Sequence, residues 1–108
     1  MMLSPGAAMC GKRVVRTFGL VYGNTIRARH VGRDLLAMLK NVVGGEITEY
    51  TKLMAEAREQ ALARMTASAS ALGANAIINV AFSTSYIMGS ASEILAYGEA
   101  VIVEDAPA

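Results

Sequence analysis

Apolar and polar positions along the chain change period twice, and the changes, with the glycines between, mark the elements. Arg13-Val-Val-Arg-Thr-Phe-Gly-Leu-Val-Tyr22 is rich in β-branched and aromatic residues and predicts a strand, with Gly23-Asn24 as a turn after it. Thr25-Ile26-Arg27-Ala28 is a candidate short extra strand. From Arg33 the spacing becomes helical, with Leu35, Leu36, Leu39, Val42 and Val43 on one side until Gly44-Gly45 ends a short helix. Glu46 to Leu72 then predicts a long helix whose apolar row is Leu53, Ala57, Ala61, Met65, Ala69 and Leu72, with Gly73 placed to stop it. The alternation returns for two strands. In Ala76–Tyr86, Ile78, Val80 and Phe82 alternate with Asn79, Ala81 and Ser83. In Glu93–Val103 a small face (Ile94, Ala96, Gly98, Ala100, Ile102) alternates with a larger one (Leu95, Tyr97, Val101, Val103).

This succession predicts an α+β fold, a β-α-β-β subunit with one long helix and one short helix. A crossover helix leaves room for the last strand to pair antiparallel with both others, which gives a three-stranded mixed sheet of order 1-3-2. The expected domain covers residues 13–104, after a flexible N-terminus at 1–12 and before a C-terminal tail at 105–108. Helices cover one face of such a sheet. The other face still carries Leu95, Tyr97 and Val101, and a partner subunit is its natural cover.

Charge sharpens that expectation. From Met65 to Ser92, 28 consecutive residues contain no Asp, Glu, Lys, Arg or His. Over the whole chain the hydrophobic fraction is 54% and the charged fraction 18%, against roughly 25% charged in ordinary soluble domains. A chain of 108 residues has one modest core, too small to hide so much apolar surface. A homo-oligomer follows as the remedy.

Other classes are poorly supported. The net charge is +1, and Arg27-Ala-Arg-His-Val-Gly-Arg33 is the one basic cluster, so no nucleic-acid partner is expected. Asn75, Asn79, Ser83, Thr84 and Ser85 interrupt the uncharged stretch, which therefore predicts no membrane span. Met1–Gly11 has neither a basic n-region nor a long apolar run, and with the single Cys10 this makes the cytoplasm the expected location.

Some residues in this order and spacing resemble a known family: Gly44-Gly45-Glu46, Glu49-Tyr50-Thr51, Ala57-Arg58, Gly73-Ala74-Asn75-Ala76, Thr84-Ser85 and Glu93-Ile94-Leu95-Ala96-Tyr97-Gly98. The chain is similar, from about Phe18 to Val103, to the YbjQ-like family of small bacterial and archaeal proteins. The resemblance implies a dodecin-like subunit assembled as a pentameric ring. The family has no established biochemical activity and carries a heavy-metal-binding label. Family members usually have Thr after Tyr-Gly, where this chain has Glu99.

The ligands for a soft metal are scarce. Such sites need convergent thiolates or imidazoles, and the chain has one Cys and one His, Cys10 and His30. Its seven Met fit core filling better than copper ligation. Ser83-Thr84-Ser85 has no recognisable triad partner. Gly44-Gly45 opens a helix N-terminus, but Glu46 and Glu49 repel an anion there. No metal site, cofactor or catalytic residue is expected, and the absence of Trp argues against dodecin-style flavin stacking.

Two functional classes remain. One is a non-enzymatic ring that binds a small ligand or ion at subunit junctions through Tyr50, Arg58, Asn75 and Tyr97. The other is an enzyme with Glu93 or Glu46 as a junctional general acid or base. The candidate site is thus Glu46, Tyr50, Arg58, Asn75, Glu93 and Tyr97.

Overall fold

The computed structural model describes residues 1–27, 45–88 and 91–107. Along the chain run β1 (Met2–Leu3), β2 (Lys12–Arg27), α1 (Gly45–Leu72), β3 (Ala76–Met88) and β4 (Ala91–Asp105). The expected short helix over 33–43 and the basic cluster with His30 lie outside the described residues.

The four strands form one mixed sheet of order β1-β3-β4-β2. Its three long strands have the expected arrangement, with the last strand antiparallel to both others between them. The fourth strand corrects the three-stranded expectation: Met2 and Leu3 pair in parallel with Ala76 and Ile77. Ser4 and Gly6 extend the contact, since the Ser4 carbonyl accepts from Val80 N–H and the Gly6 carbonyl from Asn79 N–H.

The expected turn at Gly23-Asn24 is also corrected. β2 runs unbroken through it to Arg27, so Thr25 and Ile26 continue the first strand and no separate short strand forms. Gly23 serves close approach. A Cβ there would stand 2.3 Å from Ala61 O and 2.4 Å from Met65 N, so the backbone of α1 rests directly on the strand.

α1 forms where helix-favouring Glu, Ala, Gln, Arg and Met dominate. Its Ala57, Ala61, Met65 and Ala69 are fully buried, at i, i+4 spacing, against Val21, Ile77, Ile94, Ala96 and Ala100 of the sheet. Ala96 and Ala100 belong to the small face expected of β4, and small residues on both sides allow the close packing. Gly73 adopts φ +92°. Gly73 N–H then bonds Ser70 O at 3.0 Å and Ala74 N–H bonds Ala69 O at 3.1 Å, the paired closure of a Schellman motif. Leu72 departs from the expected row and is 49% exposed, because the helix ends there.

On the opposite face of the sheet, Ala76, Ile78, Val101 and Val103 form a second buried cluster covered by Met9. Val101 therefore needs no partner subunit. In β3 the pairing slips between Ile78 and Ala81, where Asn79 has φ +53°. The slip breaks the expected alternation of Ile78, Val80 and Phe82 on one face.

The ends of β2 and β4 are tied by charge. Lys12 pairs with Asp105, and Arg13 with Glu104. β4 so reaches into the segment expected to be a tail.

Candidate functional site

The open end of the outer sheet face

Where Met9 stops, no described residue covers the outer face. Leu20, Tyr22, Leu95 and Tyr97 line a shallow apolar depression of about 430 Å³. Tyr22 stands directly across from Tyr97 in the antiparallel ladder, and Leu95 is the next outward residue on β4. Leu20 is 69% exposed, Tyr22 59% and Tyr97 36%. Large apolar side chains at these exposures, gathered on one surface, mark a contact or ligand surface.

A polar group borders the depression. Glu93 is half-buried, and its Oε2 accepts from Asn24 Nδ2 at 3.1 Å. Arg64 reaches from α1 to donate through Nη1 to Asn24 O at 2.5 Å. The carboxylate, the amide and the guanidinium thus form a chain around the β2 side of the sheet, with the Arg64 charge aimed at the strand backbone. Close by, the Thr25 hydroxyl is buried with no hydrogen-bond partner among the described residues. The phenols of Tyr22 and Tyr97 and the Glu93 carboxylate are the groups through which this surface could hold a polar ligand. No nucleophile–base pair accompanies them among the described hydrogen bonds.

The six residues expected as a site are distributed as follows. Glu93 and Tyr97 share the outer face of β4. Arg58 is exposed on α1, on the other side of the sheet. Asn75 lies toward the opposite end of β4 and serves the fold there. Its Nδ2 donates to Val103 O at 2.9 Å while its Oδ1 accepts from Val103 N–H at 2.8 Å. Glu46 and Tyr50 belong to the first turns of α1, and their side chains lie outside the described residues. Among the four whose side chains are described, only Glu93 and Tyr97 share a face.

Leu20 and Tyr22 were not among the expected site residues. With Gly23-Asn24 taken as a turn, Tyr22 falls at a strand end. Continued through Gly23, the same sequence alternates Leu20, Tyr22, Asn24 and Ile26 against Val21, Gly23 and Thr25, which is the signal that finds them.

Among the described residues, no three His, Cys, Asp or Glu side chains gather as a metal site, and no helix is long and apolar enough to cross a membrane. Cys10 is exposed.

Fold and surface together define a small α+β domain whose sheet has one stretch covered and one left open by the described residues. The chain belongs to the YbjQ-like (UPF0145) family, whose model, described as "Putative heavy-metal-binding", matches residues 1–104. It is 55% identical over 104 residues to a UPF0145 protein of Dehalococcoides mccartyi, covering 96% of this chain and 100% of that one. A UPF0145 protein of Pyrococcus horikoshii is 55% identical over 94 residues, covering 87% and 80% of the two chains. The fold is similar to a crystal structure from Pediococcus pentosaceus, of a protein of unknown function in the DUF74 family. The TM-score is 0.53 at 12% identity, over 96% of this chain and 98% of that one.

Proposed function

We propose that this chain is the subunit of a homo-oligomeric ring, a pentamer as the family resemblance implies, that binds a small ligand or ion at its subunit junctions and catalyses no reaction. One observation carries the reading: the bare surface of Leu20, Tyr22, Leu95 and Tyr97, beside the half-buried Glu93. A ring that turns this face inward removes its apolar area from bulk water at about 25 cal/mol per Å², and the two phenols and the carboxylate supply polar handles for a ligand held there.

Native mass spectrometry of the purified protein tests this directly. A ring mass with a retained small molecule or ion is the expected result. A bare monomer at micromolar concentration overturns the reading.

The hydrogen bond from Asn24 also favours a second reading, an enzyme in which Glu93 is the general acid or base, because an oriented carboxylate is what such a role requires. Glu93→Gln decides between the two. Loss of a screened activity with assembly intact supports catalysis, and loss of assembly alone makes Glu93 a structural group. The heavy-metal reading rests on the family description and would need several copies of one residue, such as Glu93, to meet at a ring axis. Metal analysis of the protein after dialysis against zinc or copper tests it, and a stoichiometry below one metal per ring rejects it.

A further inference from the structure

The sheet has two edges, and each has a long stretch without protection from the described residues. Edge strands are normally protected by charge, proline or short length. From Phe18 to Ile26, β2 carries no charged residue, and the only edge partner it shows among the described residues is Arg64 on Asn24 O. On the far side, β1 and the residues after it shield β3 only as far as Val80. Ala81–Ser85 continue beyond that shield, again without charge.

The two edges also differ in shape. Beside β2 a groove of about 440 Å³ runs between the strand and the second half of α1, lined by Leu20, Val21, Tyr22, Ser68, Ala71 and Leu72. It lies on the helix side of the sheet, because Val21 packs into the helix-side core. The edge of β3 carries a projection instead. Phe82 is 45% exposed and pairs in register with Ala96, a helix-side residue, so its ring stands on the same side of the sheet as the groove.

From this we infer that successive copies join head to tail: Phe82 of one copy fills the groove between β2 and α1 of the next, and the exposed part of β3 pairs with β2. This rests on the ring reading above and names its joint. β2 and β3 both run antiparallel to β4, so under a common rotation the new pair is parallel and the sheet continues from copy to copy. Projection and groove lie on opposite edges of one subunit, which makes the contact heterologous. Such contacts close into rings when the rotation allows. The occupant has the chemistry that the groove requires. Ser68 and Ala71 are small and exposed, Leu72 is apolar, and an uncharged aromatic ring leaves no buried charge unpaired.

The test uses two variants, each broken on one side of the joint: Phe82→Ser, which removes the projection, and Ala71→Trp, which plugs the groove. Both positions are exposed in the single chain, and circular dichroism should show the fold and melting temperature of each retained. Native mass spectrometry should find wild-type rings but each variant alone as a monomer. Mixed one to one, the variants should form a heterodimer and nothing larger, because the Ala71→Trp copy still offers Phe82 and the Phe82→Ser copy still offers an open groove. Variants that each assemble like wild type overturn the joint while the ring stands. A mixture that stays monomeric also overturns it, since head-to-tail geometry leaves one intact junction. A wild-type monomer overturns both joint and ring.

Discussion

The outer face of the sheet has two ends, and one chain finishes only one of them. Toward the C-terminal end of β4, Ala76, Ile78, Val101 and Val103 lie under Met9, and Asn75 holds the backbone of Val103 in a two-point hydrogen bond. Toward the other end, Leu20, Tyr22, Leu95 and Tyr97 face outward with nothing from the described residues over them. The covered end uses modest aliphatic side chains that one methionine can seal. The open end uses phenol rings and leucines, larger groups that a single small domain leaves in water. Under the proposed ring, stability and assembly fall to different stretches of the same strands.

Substitutions can break this comparison, and the strongest is a charge at the covered end. Val101 is fully buried, so Val101→Asp should cost about 3–5 kcal/mol for an unpaired buried charge, a large part of a typical domain's stability. Urea unfolding should show a chain largely denatured before appreciable urea is added. A loss below about 1 kcal/mol would mean that Met9 does not seal this end.

Removing the Asn75 side chain should cost less. Asn75→Ala leaves both backbone groups of Val103 without their partners, for about 1–3 kcal/mol by the same measurement.

At the open end the effect should move from folding to association. Tyr97→Ser should change the stability of the single chain by no more than about 0.5 kcal/mol, as for ordinary surface substitutions, while abolishing assembly in sedimentation velocity. An unchanged sedimentation coefficient would remove the distinction between the two ends.

The smallest effect is expected where β2 and β4 meet at Lys12 and Asp105. The Lys12 ammonium, by its hydrogen bond and its charge, holds the Asp105 carboxyl below its ordinary value. The folded state therefore gives up this proton more readily than the unfolded chain. The pairing contributes above the ordinary carboxylate range and is lost as pH falls through the lowered value. Asp105 is fully exposed, and the contribution is small and screened by salt. Asp105→Asn should lower the melting temperature slightly at about pH 7, and the difference should shrink as pH falls through the lowered value and the wild-type carboxyl takes up its proton.

Much of the fold can be read from the chain, for local reasons. The i, i+4 row of Ala57, Ala61, Met65 and Ala69 and the stop at Gly73 need no distant partner to be recognised. The small face of β4 announces close packing by its composition alone. Gly23 misleads because glycine has two uses: it permits turns, and it also lets a helix backbone touch a strand, which depends on Ala61 and Met65 some 40 positions away. β1 is equally hidden, since two residues have no period and gain their place from the edge of β3. The candidate site follows the same division. Glu93 and Tyr97 come from the alternation of β4, whereas Leu20 and Tyr22 appear only once β2 is carried past Gly23. Arg58 and Asn75 have no local pattern that ties them to these residues, and in the folded chain they stand elsewhere.

The slip at Asn79 decides more than local pairing. Before it, the even-numbered residues of β3 point outward, as Ala76 and Ile78 do; after it they point to the helix side, as Phe82 does. The backbone of one exposed asparagine thus acts as a half-step in a rotating sequence, carrying an aromatic ring from one side of the molecule to the other without altering a neighbour. Were β3 to run straight through Asn79, with every residue in regular alternation and no extra one, Phe82 would return to the side of Tyr97. On the geometry of the joint, the chain would then keep its composition and lose the means to recognise its own copies.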